Sequence, residues 1–109
     1  HLSLGAGTRK TQVAFLAELL QDSPHTVLMG DFNCGFDQPE MRVLFDRTRL
    51  QPPADVVHTF PSWRPRRAID HILLSDDLTG IGMRALPAAN SDHLALSLEL
   101  DIPVAAFAD

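Results

Sequence analysis

Apolar and polar positions follow two rhythms along this chain, one of helical period and one of period two. Between Thr8 and Gln21, Val13, Leu16 and Leu20 recur at helical spacing with Phe15 and Leu19 alongside, predicting an amphipathic helix that packs on something. Gly5 and Gly7 break the chain ahead of it, and Thr8 offers a side-chain cap. "DSPH" ends that helix, and "TVLMGDF" reads as a short, apolar, central strand. "HLSL" at the start reads as the tail of a strand. Strand, helix and strand in this order predict a crossover unit.

From Gln38 to about Arg47 the spacing is helical again, with Met41, Leu44 and Phe45 on one side. "LQPPADV" is a proline-rich connection, "VVHTF" a candidate short strand, and "PSWRPRR" a loop carrying Arg64, Arg66 and Arg67. "AIDHILLS" and "GIGMRALPA" read as strands, "LALSLELDI" alternates with period two, and "PVAAFAD" reads as a tail. There is no internal repeat and no low-complexity segment. The resulting class is α/β in the α+β sense.

Composition narrows this picture only modestly. A length of 109 residues favours one domain, and 45% hydrophobic with 21% charged residues is ordinary for a globular chain able to build a modest core. Nine basic and fourteen acidic residues give a formal charge of −5, so there is no global pull toward nucleic acid or acidic membranes. An anionic substrate must be attracted locally. Cys34 is the one cysteine, which excludes an internal disulfide and a zinc site built on several thiolates. A single thiol fits a reduced compartment, hence a cytoplasmic expectation. No apolar run approaches the ~20 residues of a membrane span, and no signal-peptide pattern is present. The opening His-Leu-Ser-Leu has no methionine, so a truncated or processed chain is expected.

The chemistry-bearing residues gather at strand ends: His1, Asp31 with Asn33, Asp70, and the pair Asp92-His93. Side chains alternate along a strand, so Asp31 and Asn33 project to one face with Phe32 opposite. Ligands of open α/β sheets lie at strand carboxyl ends, where Asp31 sits. A hard cation such as Mg²⁺ binds through one or two carboxylates plus waters and phosphate oxygens. An Asp-Asn pair supplies a negative oxygen for a metal or a proton, and an amide donor for a developing oxyanion. Taken singly, Asp-x-Asn is also ordinary turn chemistry, and Ser-Asp-His an ordinary loop-to-strand junction. Asp70 between isoleucines is harder to dismiss: a carboxylate on a half-buried strand is costly unless paired, and His93 is a candidate partner.

The ordered set "GDFN", "HTFPSWRPRRAIDHILLS" and "SDHLAL", spanning residues 30 to 96, resembles the second half of the endonuclease/exonuclease/phosphatase family. That family includes pancreatic-type deoxyribonucleases, abasic-site endonucleases, sphingomyelinases and inositol-polyphosphate phosphatases. "HLSLG" resembles the family's strand with an active-site histidine, and "TFPSWRPRRAIDHI" looks closest to small bacterial members of uncertain substrate. The resemblance implies a Mg²⁺- or Mn²⁺-dependent phosphoesterase acting by in-line attack of water. It implies that Asp31 orients and deprotonates the water, and that Asn33 holds it or stabilises the transition state. Asp70 would fix the tautomer of His93, His93 would contact the phosphate or transfer a proton, and His1 would donate to a phosphate oxygen or the leaving group. Asp31, Asn33 and Asp92 are the implied metal set.

The departures matter as much. The family's first half carries a metal-binding glutamate upstream of "HLSLG", and Glu18, Glu40 and Glu99 match no such motif. The resemblance therefore implies the C-terminal half of a four-layer α/β/β/α sandwich: one mixed sheet with helices on one face, and an apolar sheet face left uncovered. Such a face is sticky, so the expected partner is either the upstream half or a second copy, docked face to face. The half alone is expected to be inactive.

Arg64, Arg66 and Arg67 read either as a solvated loop or as a local anion trap, since guanidinium groups pair bidentately with phosphate. Trp63 beside them packs, or stacks on a base or sugar. The thiol of Cys34 should stay protonated and inert. His58 and His71 read as packing or hydrogen-bonded residues, and His25 as a surface loop residue. The substrate class stays open between nucleic acid and a phosphorylated small molecule. A phospholipid-head-group hydrolase is weaker for want of an apolar docking loop. The alternative from another class is a non-catalytic interaction module that keeps the fold without the metal glutamate.

Overall fold

The computed structural model describes residues 1–101, so the tail expected over residues 103–109 lies outside the described residues. Helix α1 runs Ala6–Leu19. It turns Val13 and Ala17 fully inward, with Arg9 one turn earlier and Leu16 and Leu20 at its margin. Phe15 and Leu19 sit off this stripe and are exposed. Gly5, in extended conformation, takes the cap position expected of Thr8, and no side chain caps the helix. Helix α2, Pro39–Arg47, starts on Pro39, where a missing N–H costs nothing, and has Glu40 in its first turn and Arg47 in its last, complementing the helix dipole. Its C-terminus is closed by Thr48, whose Oγ1 donates to the Leu44 carbonyl at 2.7 Å.

The strands are β1 (Val27–Asp31), β2 (Leu50–Gln51), β3 (Asp70–Ser75), β4 (Thr79–Leu86) and β5 (Ala95–Asp101). They form two antiparallel sheets, β1-β3-β2 and the β4-β5 hairpin, rather than one mixed sheet. Three differences from the sequence reading follow. "HLSL" is not a strand and meets β1 through the Leu2 N–H to Asp31 carbonyl bond at 2.8 Å, so no crossover unit forms among the described residues. The central strand of the first sheet is β3, with β1 at its side. "VVHTF" is not a strand, although Phe60 bridges Arg67 in antiparallel fashion. The cause is common to all three: the apolar pattern reports which residues are buried, while pairing partners are chosen by contacts distant in sequence.

Strand β3 alternates cleanly. His71, Leu73 and Ser75 are buried, while Asp70, Ile72 and Leu74 are half-buried on the opposite face. The buried face meets the helices, where Leu73 joins Leu2, Val13, Ala17, Phe32, Cys34, Met41, Leu44 and Leu50 in one core. The hairpin lies against the other face. A Cβ added at Gly80 would come within 2.9 Å of Leu74 Cδ1 and 2.8 Å of Leu98 Cδ2, so the two leucine tips close over the space that Gly80 leaves. Farther along that face Met29 stays exposed, so the apolar surface expected to be uncovered is covered in part.

One charged pair is built into this core. Arg9 and Glu40, 7% and 9% exposed, link α1 to α2. The Arg9 Nε donates to Glu40 Oε1 at 2.8 Å, and its other nitrogens reach the same carboxylate at 2.7 Å and the Ser3 and Leu4 carbonyls at 3.1 and 2.8 Å. A hydrogen bond from its own backbone N–H, with the Arg9 guanidinium, holds the Glu40 carboxyl below the usual carboxylate range against the opposing effect of burial. Arg9→Met leaves Glu40 buried without its partner. Urea unfolding should show a loss of about 3–5 kcal/mol, as for other broken buried pairs. An unchanged midpoint would show that the pair does not join the helices.

Candidate active site

Register places the site. In the β1–β3 ladder Asp31 stands directly opposite Asp70, on the face away from the helices. The neighbouring pair, Gly30 and His71, points the other way, and the His71 Nε2 bonds the Cys34 carbonyl at 2.8 Å between Phe32 and Phe36. Burial pushes the His71 pKa down, so this ring is a neutral core element, as its sequence context indicates. Cys34 is buried beside it, and burial pushes its thiol up to about 11, which leaves it inert.

Over the two aspartates sits His93. Its Nδ1 lies 2.7 Å from Asp70 Oδ2, and its Nε2 is 3.6 Å from Asp31 Oδ2. Ligand atoms of Asp31, Asp70 and His93 all lie within 4.8 Å of one another. The Asp70 carboxylate oriented by His93 also accepts the Thr59 hydroxyl on the same Oδ2. Thr59 is fully buried, and its carbonyl accepts the Leu94 N–H at 2.8 Å, tying the His93 segment to the Thr59 segment. The Phe60 ring packs on the imidazole with centroids 4.9 Å apart. Burial on its own would lower the His93 pKa; the hydrogen bond and charge of Asp70, helped by Asp31 and Asp92, raise it above the ordinary imidazole value.

The remaining candidates fall around this centre. Asn33, in left-handed conformation at φ 53°, donates its backbone N–H to Asp31 Oδ1 at 2.8 Å, which is the Asx-turn chemistry of its motif. Its side-chain Nδ2 donates to the Leu2 carbonyl, so one amide donor clamps the opening segment and Oδ1 is its remaining acceptor. His1 is exposed, with Nε2 at 3.6 Å from Asp31 Oδ2. Asp92 is at the rim, exposed, with Oδ1 at 4.0 Å from His93 Nε2. The carboxylate-imidazole cluster is thus Asp31, Asp70 and His93, where the sequence reading assembled a metal set from Asp31, Asn33 and Asp92. Among the described residues no glutamate joins it. Arg67 lines a groove of about 470 Å³ with Asn33 and His58, while Arg64, Arg66 and Trp63 are exposed. His58 is exposed rather than packed.

Residues 6–93 match the model of the Endonuclease/Exonuclease/phosphatase family. This chain belongs to that family. The family is hydrolytic in general and usually binds divalent metals. A solved structure of a functionally unknown conserved protein from Enterococcus faecalis V583 is similar over 94% of this chain, at 22% identity and a TM-score of 0.78. That likeness shows the fold. The chain spans 48% of that protein's length. No curated protein matches it. No helix of the described residues is long and apolar enough to cross a membrane.

Of the residues that the sequence singles out, the fold brings Asp31, Asp70 and His93 together, and it adds Thr59. A threonine within the strand-like "VVHTF" carries no signal until the fold puts its hydroxyl on Asp70. The Asp70 contact is testable in chelator-treated protein. Asp70→Asn should bring the NMR titration midpoint of the His93 ring down from above the ordinary imidazole range. The stability that the pair contributes is fully present below the unfolded imidazole value of about 6.5, and is lost as pH rises through the folded one. An unmoved midpoint would show that Asp70 does not set the charge of His93.

Proposed function

We propose that this chain carries the aspartate-histidine side of a divalent-metal-dependent phosphoesterase site. The observation that carries the reading is the pair of carboxylates, Asp31 and Asp70, facing one another across the β1–β3 register with one imidazole above them. Like charges directly opposite on a sheet repel, so the pair calls for positive charge between or above it. On the Asp70 side His93 and Thr59 already meet that need. Among the described residues Asp31 Oδ2 has two imidazoles at 3.6 Å, which leaves it open to a hard cation. Asp31 would hold Mg²⁺ or Mn²⁺, with Asp92 close enough at the rim to contribute through water. When bound, the ion supplies charge neutralisation at the phosphate and lowers the pKa of water.

The chain's own residues supply the remaining chemistry. Asp31 accepts a proton from the attacking water, and the Asn33 backbone N–H keeps the carboxylate aimed. Asp70 and Thr59 hold His93 with Nδ1 inward, so Nε2 is presented to the phosphate, where a charged ring donates to a non-bridging oxygen or to the departing oxygen. His1 adds a second imidazole on the far side of Asp31. Arg64, Arg66 and Arg67 provide the local positive charge that an acidic chain needs to draw in an anion.

Among the described residues no glutamate contributes to the cluster, and the chain spans about half of its structural relative. The reading therefore includes a further carboxylate ligand from outside these residues, and partial cover of Met29 and its neighbours by the same segment or by a second copy. Two measurements test it. In the protein that contains this chain, His93→Ala should cut phosphodiester turnover by about 10²–10⁴-fold with the fold preserved by circular dichroism, and chelation should abolish it. The 109 residues alone should give no robust turnover. Absence of calorimetric Mg²⁺ or Mn²⁺ binding in the larger protein would instead favour a non-catalytic interaction module.

A further inference from the structure

The sequence holds one tryptophan, and the fold does not use it for packing: Trp63 is 76% exposed. The residues around it are held. The loop from Phe60 to Arg67 is closed at its base, where the Thr59 and Phe60 N–H groups donate to the Arg67 carbonyl at 3.0 and 3.3 Å, and the Arg67 N–H returns to the Phe60 carbonyl at 3.0 Å. Within the loop the Arg64 N–H donates to the Pro61 carbonyl at 3.1 Å, making a tight turn with Ser62 and Trp63 at its tip.

This turn is clasped to the catalytic segment. The Ser62 N–H donates to the Asp92 carbonyl at 2.7 Å, and the Ser62 hydroxyl donates to the Ser91 carbonyl at 2.7 Å. The Ser91 hydroxyl in turn accepts the His93 N–H at 3.1 Å. Phe60, two residues before Ser62, packs on the His93 ring. The loop and the histidine therefore form one rim, and Trp63 follows directly on the Ser62 that is bonded to the Asp92-His93 segment. Arg64 and Arg66 flank it, and among the described residues neither they nor Arg67 is in an ion pair.

Leaving an indole in water forgoes the burial that its large apolar area would otherwise bring, while ordering the residues on either side of it costs conformational entropy. Both are recovered when a flat ring stacks on it beside guanidinium groups that meet a phosphate. We propose that Trp63 is the specificity-determining residue of this site, selecting phosphoesters that bear a planar ring, and that Ser62 is the positioning residue that holds it over the rim. This rests on the phosphoesterase reading and narrows its substrate class.

The test is made in the protein that contains this chain, where the part of the emission change that Trp63→Phe removes reports the contact. With Mg²⁺ present, adenosine 5′-monophosphate should quench the emission saturably, and should bind at least about tenfold more tightly than glycerol 3-phosphate as measured by calorimetry. Trp63→Phe should keep that preference, and Trp63→Ala should abolish it while leaving glycerol 3-phosphate binding in place. Ser62→Ala should reduce the preference, and Ser62→Thr should restore it. Equal binding of the two phosphates, or a Trp63→Ala variant that still prefers the nucleotide, overturns the ring selection and leaves the phosphoesterase reading standing. Failure of both phosphates to bind overturns the two together. A blue shift of the emission on phosphatidylcholine vesicles without nucleotide quenching assigns the indole to a lipid surface, and overturns it as well.

Discussion

The candidate site of this molecule depends on the register of two antiparallel strands. Asp31 and Asp70 face each other because β1 and β3 pair Val27 with Leu74 and step residue by residue to the carboxylates. Side chains alternate with period two, so a slip of one residue would move Asp31 to the helix side and bury it among apolar neighbours. The same register sends Leu28 and Leu73 into the core. Turning those leucines toward the helices and the aspartates to the opposite face are one constraint, and the hydrophobic effect that specifies the first specifies the second.

A pair of carboxylates held that way is electrostatically unfavourable, and the loops around it answer the problem. Thr59 and His93 converge on one oxygen of Asp70, from segments 11 and 23 residues away. Backbone bonds from Leu94 to Thr59 and from Ser62 to Asp92 bind those two segments to each other, so that the imidazole is fixed from behind and from the side. The result is an oriented histidine, its pKa raised above the ordinary imidazole value by Asp70, set beside Asp31.

Behind the sheet, the helices are held by more than apolar contact. The Arg9 guanidinium ties α1 to Glu40 on α2 and to the Ser3 and Leu4 carbonyls. The opening segment is thus held at Ser3 and Leu4, and Asn33 grips it again at the Leu2 carbonyl. His1 reaches Asp31 only because both grips hold the residues that follow it. A core pair and a residue at the candidate site are connected in this way through four residues of irregular chain.

Much of this was legible in the linear pattern, because it is local. Helical spacing marked both helices to within a few residues, period-two alternation marked β5, and the cost of a carboxylate amid isoleucines marked Asp70 and pointed to His93. What stayed hidden is non-local. Neither Thr59 nor the Arg9–Glu40 pair has any signature until folding brings together residues 11 and 31 positions apart. The division of the strands into two antiparallel sheets was equally out of reach, since an apolar strand looks alike whichever neighbour it takes. The amino-acid order by itself determined which residues must leave water and which charges demand a partner. Only the tertiary structure decided which partner each received, because hydrogen bonds and ion pairs act over about 3–4 Å and the chain distances they bridge are set by packing.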